Sequence, residues 1–99
     1  MRVKFSKSAH LDIVDGWHFY NSQQEGLGDY FSDTIYSEAG SLALYAGIHT
    51  RVYGFYRLLS GRFPYSIYYD IEDSGVVVYA VIGNKRNPDW IDEHLSLAR

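Results

Sequence analysis

The chain has no cysteine, which excludes a disulfide framework and any thiolate metal site and fits a reducing compartment. Lysine and arginine are missing from Ser8 to Thr50, a stretch that carries six acids: Asp12, Asp15, Glu25, Asp29, Asp33 and Glu38. No apolar run approaches the roughly 20 residues of a membrane span. The N-terminal MRVKFSKSAHLD lacks the apolar core of a secretory signal. A soluble, cytoplasmic protein without membrane contact is expected. His10, His18, His49 and His94 show no metal-ligand spacing and read as structural or surface histidines. There is no Gly-x-Ser-x-Gly elbow, phosphate loop or dinucleotide fingerprint, so no metal or cofactor is expected and a general enzyme lacks an anchor.

What is present suits one small folded unit. Ninety-nine residues allow a single domain over 1–99 with one core. An apolar content of 46% with 17% aromatic residues excludes a disordered chain. Ten tyrosines suit half-buried sheet faces and protein-binding surfaces. The net charge of −3 argues against wholesale coating of nucleic acid. Charge is polarised along the chain. From Arg51 to Arg86 five bases (Arg51, Arg57, Arg62, Lys85, Arg86) face three acids (Asp70, Glu72, Asp73), which favours contact with an anionic or polar target.

The residues from Arg51 to Pro88 organise the rest. In the strand beginning at Arg62, Phe63, Tyr65, Ile67, Tyr69 and Ile71 alternate with Pro64, Ser66, Tyr68, Asp70 and Glu72. Period-two alternation puts the first set on a core face and the second, with Arg62, on a face available for recognition. Ser60-Gly61 and Asp73-Ser74-Gly75 sit where hairpin turns call for glycine. Arg51 to Leu59 reads as the strand before, and Val76 to Gly83, apolar on both faces, as a central strand.

Ahead of this meander, Arg2 to Phe5 alternates as a first strand, and Ser6 or Ser8 can cap a helix. That helix carries Ile13, Trp17 and Tyr20, with Leu11 and Val14, and closes at Gly26. A second helix carries Leu27, Phe31, Ile35, Leu42 and Tyr45 on one stripe, with Ala39 and Ala46. Gly26-Leu27-Gly28 is then the turn of a helical hairpin whose apolar side covers the apolar face of the meander. Asn87-Pro88-Asp89 opens a short C-terminal helix, with asparagine at the cap and proline at the first turn. The expected class is α+β: β-α-α-β-β-β, a helical hairpin on a mainly antiparallel four-stranded sheet, with a short C-terminal helix.

The candidate functional residues are basic. Arg57 and Arg62 bracket the Ser60-Gly61 turn, and Lys85 and Arg86 follow the last strand. Arginine's planar fork suits a carboxylate or phosphate, and an ion pair with Asp70 or Glu72 is the plainer alternative. Loop ends on a rigid sheet are common functional ground.

Three segments together resemble the RelE/ParE toxin superfamily. Gln24-Glu25-Gly26-Leu27-Gly28 with Phe31 is similar to its glycine-turn helix pair. Tyr56-Arg57-Leu58-Leu59 with Arg62-Phe63-Pro64-Tyr65-Ser66-Ile67-Tyr68-Tyr69 is similar to its central "RxLL…RFPYxIYY", and Val81 to Pro88 to its closing "VLHxxRDP". The resemblance covers nearly the whole chain in order. It implies the toxin of a type II toxin–antitoxin system, of the kind known as plasmid stabilisation proteins, masked by a cognate antitoxin. Homodimers or toxin–antitoxin hetero-oligomers would be its assemblies. Some members cleave mRNA in the ribosome and others poison DNA gyrase. By the same likeness Arg57, Arg62 and Arg86 match arginines of the family, while Gly83 replaces its histidine and Asn87 its aspartate. RNA cleavage needs a base and an acid, which glycine cannot supply. The ParE-like, gyrase-directed reading is therefore preferred, with target binding by Arg57, Arg62, Tyr68, Asn84, Lys85 and Arg86. A ribosome-dependent endonuclease using Arg57, Arg62, Lys85 and Arg86, and a non-toxic binding or regulatory member, are the alternatives.

Overall fold

The computed structural model describes every residue from Met1 to Arg99. Its elements run β1 (Val3–Phe5), α1 (Lys7–Gln23), α2 (Leu27–Gly40), α3 (Leu42–Tyr45), β2 (Arg51–Val52), β3 (Phe55–Leu59), β4 (Tyr65–Glu72), β5 (Gly75–Gly83) and α4 (Pro88–Ser96). The sheet order is β1-β5-β4-β3-β2, antiparallel except for the β1–β5 pair. The α+β class and the placement of the helical hairpin are as the sequence predicts.

The strand count is not. Four strands were expected and five are present, because Arg51–Leu59 folds back on itself. Tyr53 and Gly54 both adopt positive φ, +56° and +83°, the backbone of a tight two-residue hairpin. The hairpin pairs Val52 with Phe55 on one face, where a single strand would set them on opposite faces, but with only two residues in β2 the sequence pattern does not show the break. The Ser60-Gly61 turn differs as well. Gly61 does not take positive φ; Ser60 Oγ instead accepts from the amides of Arg62 and Phe63 at 3.3 and 3.2 Å.

Local chemistry sets the helix ends. Ser6 Oγ accepts the Ala9 amide at 3.0 Å and starts α1. Gly26 then reverses the chain at φ +89°. Asn87 Oδ1 accepts the Asp89 amide at 2.8 Å, with Pro88 in the first turn of α4. The expected second helix breaks at Ser41, where α2 gives way to α3. That break leaves Leu42 buried but turns Tyr45 outward, 56% exposed, off the stripe predicted for it.

Two apolar cores lie on opposite sides of the sheet. The larger packs Ala9, Ile13, Phe31, Ile35, Ala39 and Leu42 of the helices against Phe63, Ile67, Tyr69, Val76, Val78 and Val81. The smaller packs Phe55, Tyr68, Ala80 and Ile82 beneath Ile91 and Leu95 of α4. The β4–β5 register is irregular midway: Tyr68 pairs with Ala80 but Tyr69 with Val78. Tyr79 is thus the extra residue of a bulge, and it stays on the α4 side with Ala80. The face expected to display recognition groups is in this way partly a second core.

Candidate functional site

A groove of about 550 Å³ opens between α1, the start of β4, the end of β5 and α4. One face of α1 lines it, because Asp12, Asp15, Gly16, Phe19 and Tyr20 follow helical neighbour spacing. Pro64 and Tyr65 lie at the head of β4, and Val81, Ile82 and Gly83 at the tail of β5. Lys85, Arg86 and Trp90 close the far wall. Aromatic rings thus form its lining, with acids along one rim and bases along the other.

The basic rim is rigidly presented. The Arg86 amide donates to Gly83 O at 3.2 Å and the Asn84 amide to Pro64 O at 2.8 Å. Arg86 lays its guanidinium 4.2 Å from the Trp90 ring centroid. Trp90 stacks on His94 at 4.7 Å. His94 Nε2 lies 3.0 Å from Asp12 Oδ1, and Asp12 Oδ2 accepts the Val81 amide at 2.9 Å. This chain of contacts ties α4, α1 and β5 together at the groove. Lys85 and Arg86 are both exposed, and neither joins any of the ion pairs in the protein.

Burial raises the Asp12 carboxyl above its ordinary value, outweighing the lowering from the Val81 amide and His94. Between the ordinary carboxylate value and that raised one the folded state holds more protons than the unfolded state. Asp12 therefore takes stability away as pH rises through this window. Asp12→Ala should destabilise the protein by about 1–3 kcal/mol, because it strands the buried Val81 amide. Asp12→Asn keeps an acceptor there, so urea denaturation at neutral pH should give it the clearly smaller loss.

The predicted site residues separate into distinct places. Lys85, Arg86 and Asn84 share the turn after β5, and Ser66 Oγ donates to Asn84 Oδ1 at 2.5 Å. Arg57 lies on the α4 side of β3, paired in register with Tyr68. Arg62 goes the other way, over α2, donating to Tyr30 OH at 2.8 Å. Tyr68 was expected on a displayed face but is 2% exposed, buried beneath α4. Burial also raises its phenol, with Arg57 opposing that shift. Asp70 and Glu72, the acids considered for Arg57 and Arg62, pair instead with Arg51 and Arg99.

Gly83 brings no side chain to the groove, although a Cβ there would meet nothing closer than 3.7 Å, an ordinary contact with Tyr65. Packing does not demand glycine at this position. The Asp12–His94 pair was missed by sequence reasoning: 82 residues separate the two, and no spacing rule reaches that far. No group of three or more His, Asp or Glu side chains converges to hold a metal ion, and no helix is long and apolar enough to cross a membrane.

No family model matches the chain, and no curated protein matches it significantly. A solved structure does. A chain described as belonging to the chromosomal ParDE TA system from P. aeruginosa superposes with a TM-score of 0.74 over 82% of this chain and 92% of its own, at 17% sequence identity. The likeness is one of fold.

Proposed function

We propose that this chain, which shares a ParE-like fold, is the toxin of a type II toxin–antitoxin pair. In this reading it acts in the cytoplasm, is neutralised by a cognate antitoxin, and binds DNA gyrase without cutting nucleic acid. The observation that carries the proposal is the fold shared with a chain of a ParDE system over most of both lengths.

The site chemistry supports a binding rather than a cleaving role. Of the four cations considered for RNA cleavage, only Lys85 and Arg86 share a location; Arg57 lies with Tyr68 and Arg62 with Tyr30. Cleavage requires convergent groups that move protons and hold the phosphate. What the groove offers is an aromatic lining beside unpaired bases, the composition of a protein-docking surface. Lys85, Arg86 and Asn84 are the target-binding residues of this reading. One arrangement favours the ribosome-dependent endonuclease instead, namely His94, bonded to Asp12 of the groove and stacked on Trp90, against which Arg86 also lies.

Induction in a host lacking the antitoxin, with pulse-labelling of DNA and protein synthesis, distinguishes the two. DNA synthesis is expected to fall first while translation continues. Translation falling first, with cleaved message, would replace the gyrase reading by the ribosomal one. If neither falls, the chain is a binding or regulatory module.

A further inference from the structure

On the α4 side of the sheet, remote from the basic turn, the guanidinium of Arg99 sits in a seat built by three strands. It bridges two carboxylates: Nη2 bonds Asp70 Oδ2, and Nη1 bonds Glu72 Oε1 at 3.1 Å. Its central carbon lies 4.5 Å from the centroid of Phe55 and 5.0 Å from that of Tyr79. The rings are 5.5 Å apart and tilted by 56°, so they form two adjoining walls. Tyr79 reaches the α4 side by ordinary alternation, since Val76 and Val78 face the helices, and so stands beside Phe55. A fork-shaped cation spans both acids while its flat face meets the rings. An ammonium, a point charge, cannot bridge the acids in that way.

The acids of the seat have partners other than its occupant. Asp70 also accepts from its neighbour Ile71's amide at 2.9 Å and from Arg51 at 3.4 Å. Glu72 also accepts the Tyr79 hydroxyl at 3.0 Å. Withdrawal of Arg99 therefore leaves no bare buried charge. The occupant, by contrast, is partly exposed. Helix α4 ends at Ser96, Leu97 is 79% exposed, and the Arg99 side chain is 45% exposed. Helix α4 has its own anchors in Ile91, Leu95 and the His94–Asp12 contact, and the Leu97 and Ala98 amides bond back to it, so the Arg99 side chain can swing out while the helix stays. The neighbouring β2 is an edge strand of the sheet, and its Arg51, the other cation on Asp70, is itself exposed.

We propose that Phe55, Asp70, Glu72 and Tyr79 form a recognition site for an arginine of a partner protein, and that Arg99 fills it in cis until displaced. The ligand class is a guanidinium carried on a peptide. Arg99 is then a built-in competitor that sets how strong a partner must be to bind here.

The test uses N-acetyl-arginine amide as the probe, titrated into the full chain and followed by NMR at the Phe55 and Tyr79 rings. A tethered group competes at an effective concentration of about millimolar, so Arg99→Ala should bind the probe roughly tenfold more tightly than the native chain. N-acetyl-lysine amide should bind the opened seat several-fold less well, and Asp70→Asn in the Arg99→Ala background should abolish the response. Equal weak binding by native and Arg99→Ala chains, or equal binding of both amides, would overturn the proposal and leave Arg99 a fixed structural latch. Should Arg99→Ala not fold, Arg99→Lys keeps the charge and loses the fork. It should still admit the probe better than the native chain, and exclusion of the probe would overturn the site. The seat is read by binding alone, so its failure is separate from any failure of toxicity.

Discussion

Phe31→Ala should destabilise the fold by about 3–5 kcal/mol, the usual range for emptying a buried phenylalanine site. Phe31 is fully buried, and its ring lies 5.1 Å from Tyr20, 5.1 Å from Phe63 and 4.8 Å from Tyr65, measured between centroids. It joins both helices of the hairpin to the head of β4. Gly16 on α1 makes room for it: a Cβ there would lie 2.4 Å from the Phe31 ring. Gly16→Ala alone should therefore cost about 1–3 kcal/mol through overpacking. In the Gly16→Ala/Phe31→Ala double variant the added methyl enters the vacated space, so its cost should be well below the sum. Urea denaturation monitored by circular dichroism measures all three. A total stability in the ordinary range of about 5–15 kcal/mol makes the Phe31 loss a large share of the whole. Simple additivity would mean that Gly16 and Phe31 do not share that space. Tyr20 and Tyr65 also line the groove, so Phe31→Ala should loosen one of its walls.

The second large effect is functional. On the toxin function proposed above, Lys85→Glu/Arg86→Glu should abolish growth inhibition in a host without antitoxin, while the protein stays folded. Both residues are exposed and unpaired, and the backbone contacts of their turn do not involve their side chains. The one interaction lost within the protein is the Arg86–Trp90 contact, worth about 0.5–1 kcal/mol at an exposed site. Reversing two rim charges acts on encounter and docking with an oppositely charged partner. Arg62→Ala is the control, since Arg62 lies over α2, bonded to Tyr30 and away from the groove. Undiminished toxicity of the double variant, at unchanged melting temperature, would remove the basic turn from the proposed target-binding surface.

Much of this protein is decided locally, and local rules are what a sequence carries. The Ser6 and Asn87 caps, the Gly26 reversal, the apolar stripe through Ile13, Phe31 and Ile35 and the alternation through Ile67 and Tyr69 each follow from a few neighbouring residues. They yield the element order and the larger core. The polarised charge likewise leaves the bases in the second half, where Lys85 and Arg86 edge the groove.

Where a pattern is broken without changing its letters, the sequence is mute. Tyr53-Gly54 reverses a strand in mid-alternation, and the Tyr79 bulge shifts the parity of β5 so that Ala80 and Ile82 face α4. With α4 packed there, Tyr68 passes from a displayed face to a buried one.

By itself, then, the sequence determined the α+β class, the helical hairpin on its sheet and the basic turn after the last strand, because these rest on periodicity and caps within reach of a few residues. Only the tertiary structure decided which side chains meet across long separations. It put Asp12 against His94, turned Arg57 and Arg62 to different surroundings, and closed Phe55, Asp70, Glu72 and Tyr79 around Arg99. Such meetings depend on strand register and on how a helix lies across a sheet, and many residues set these together.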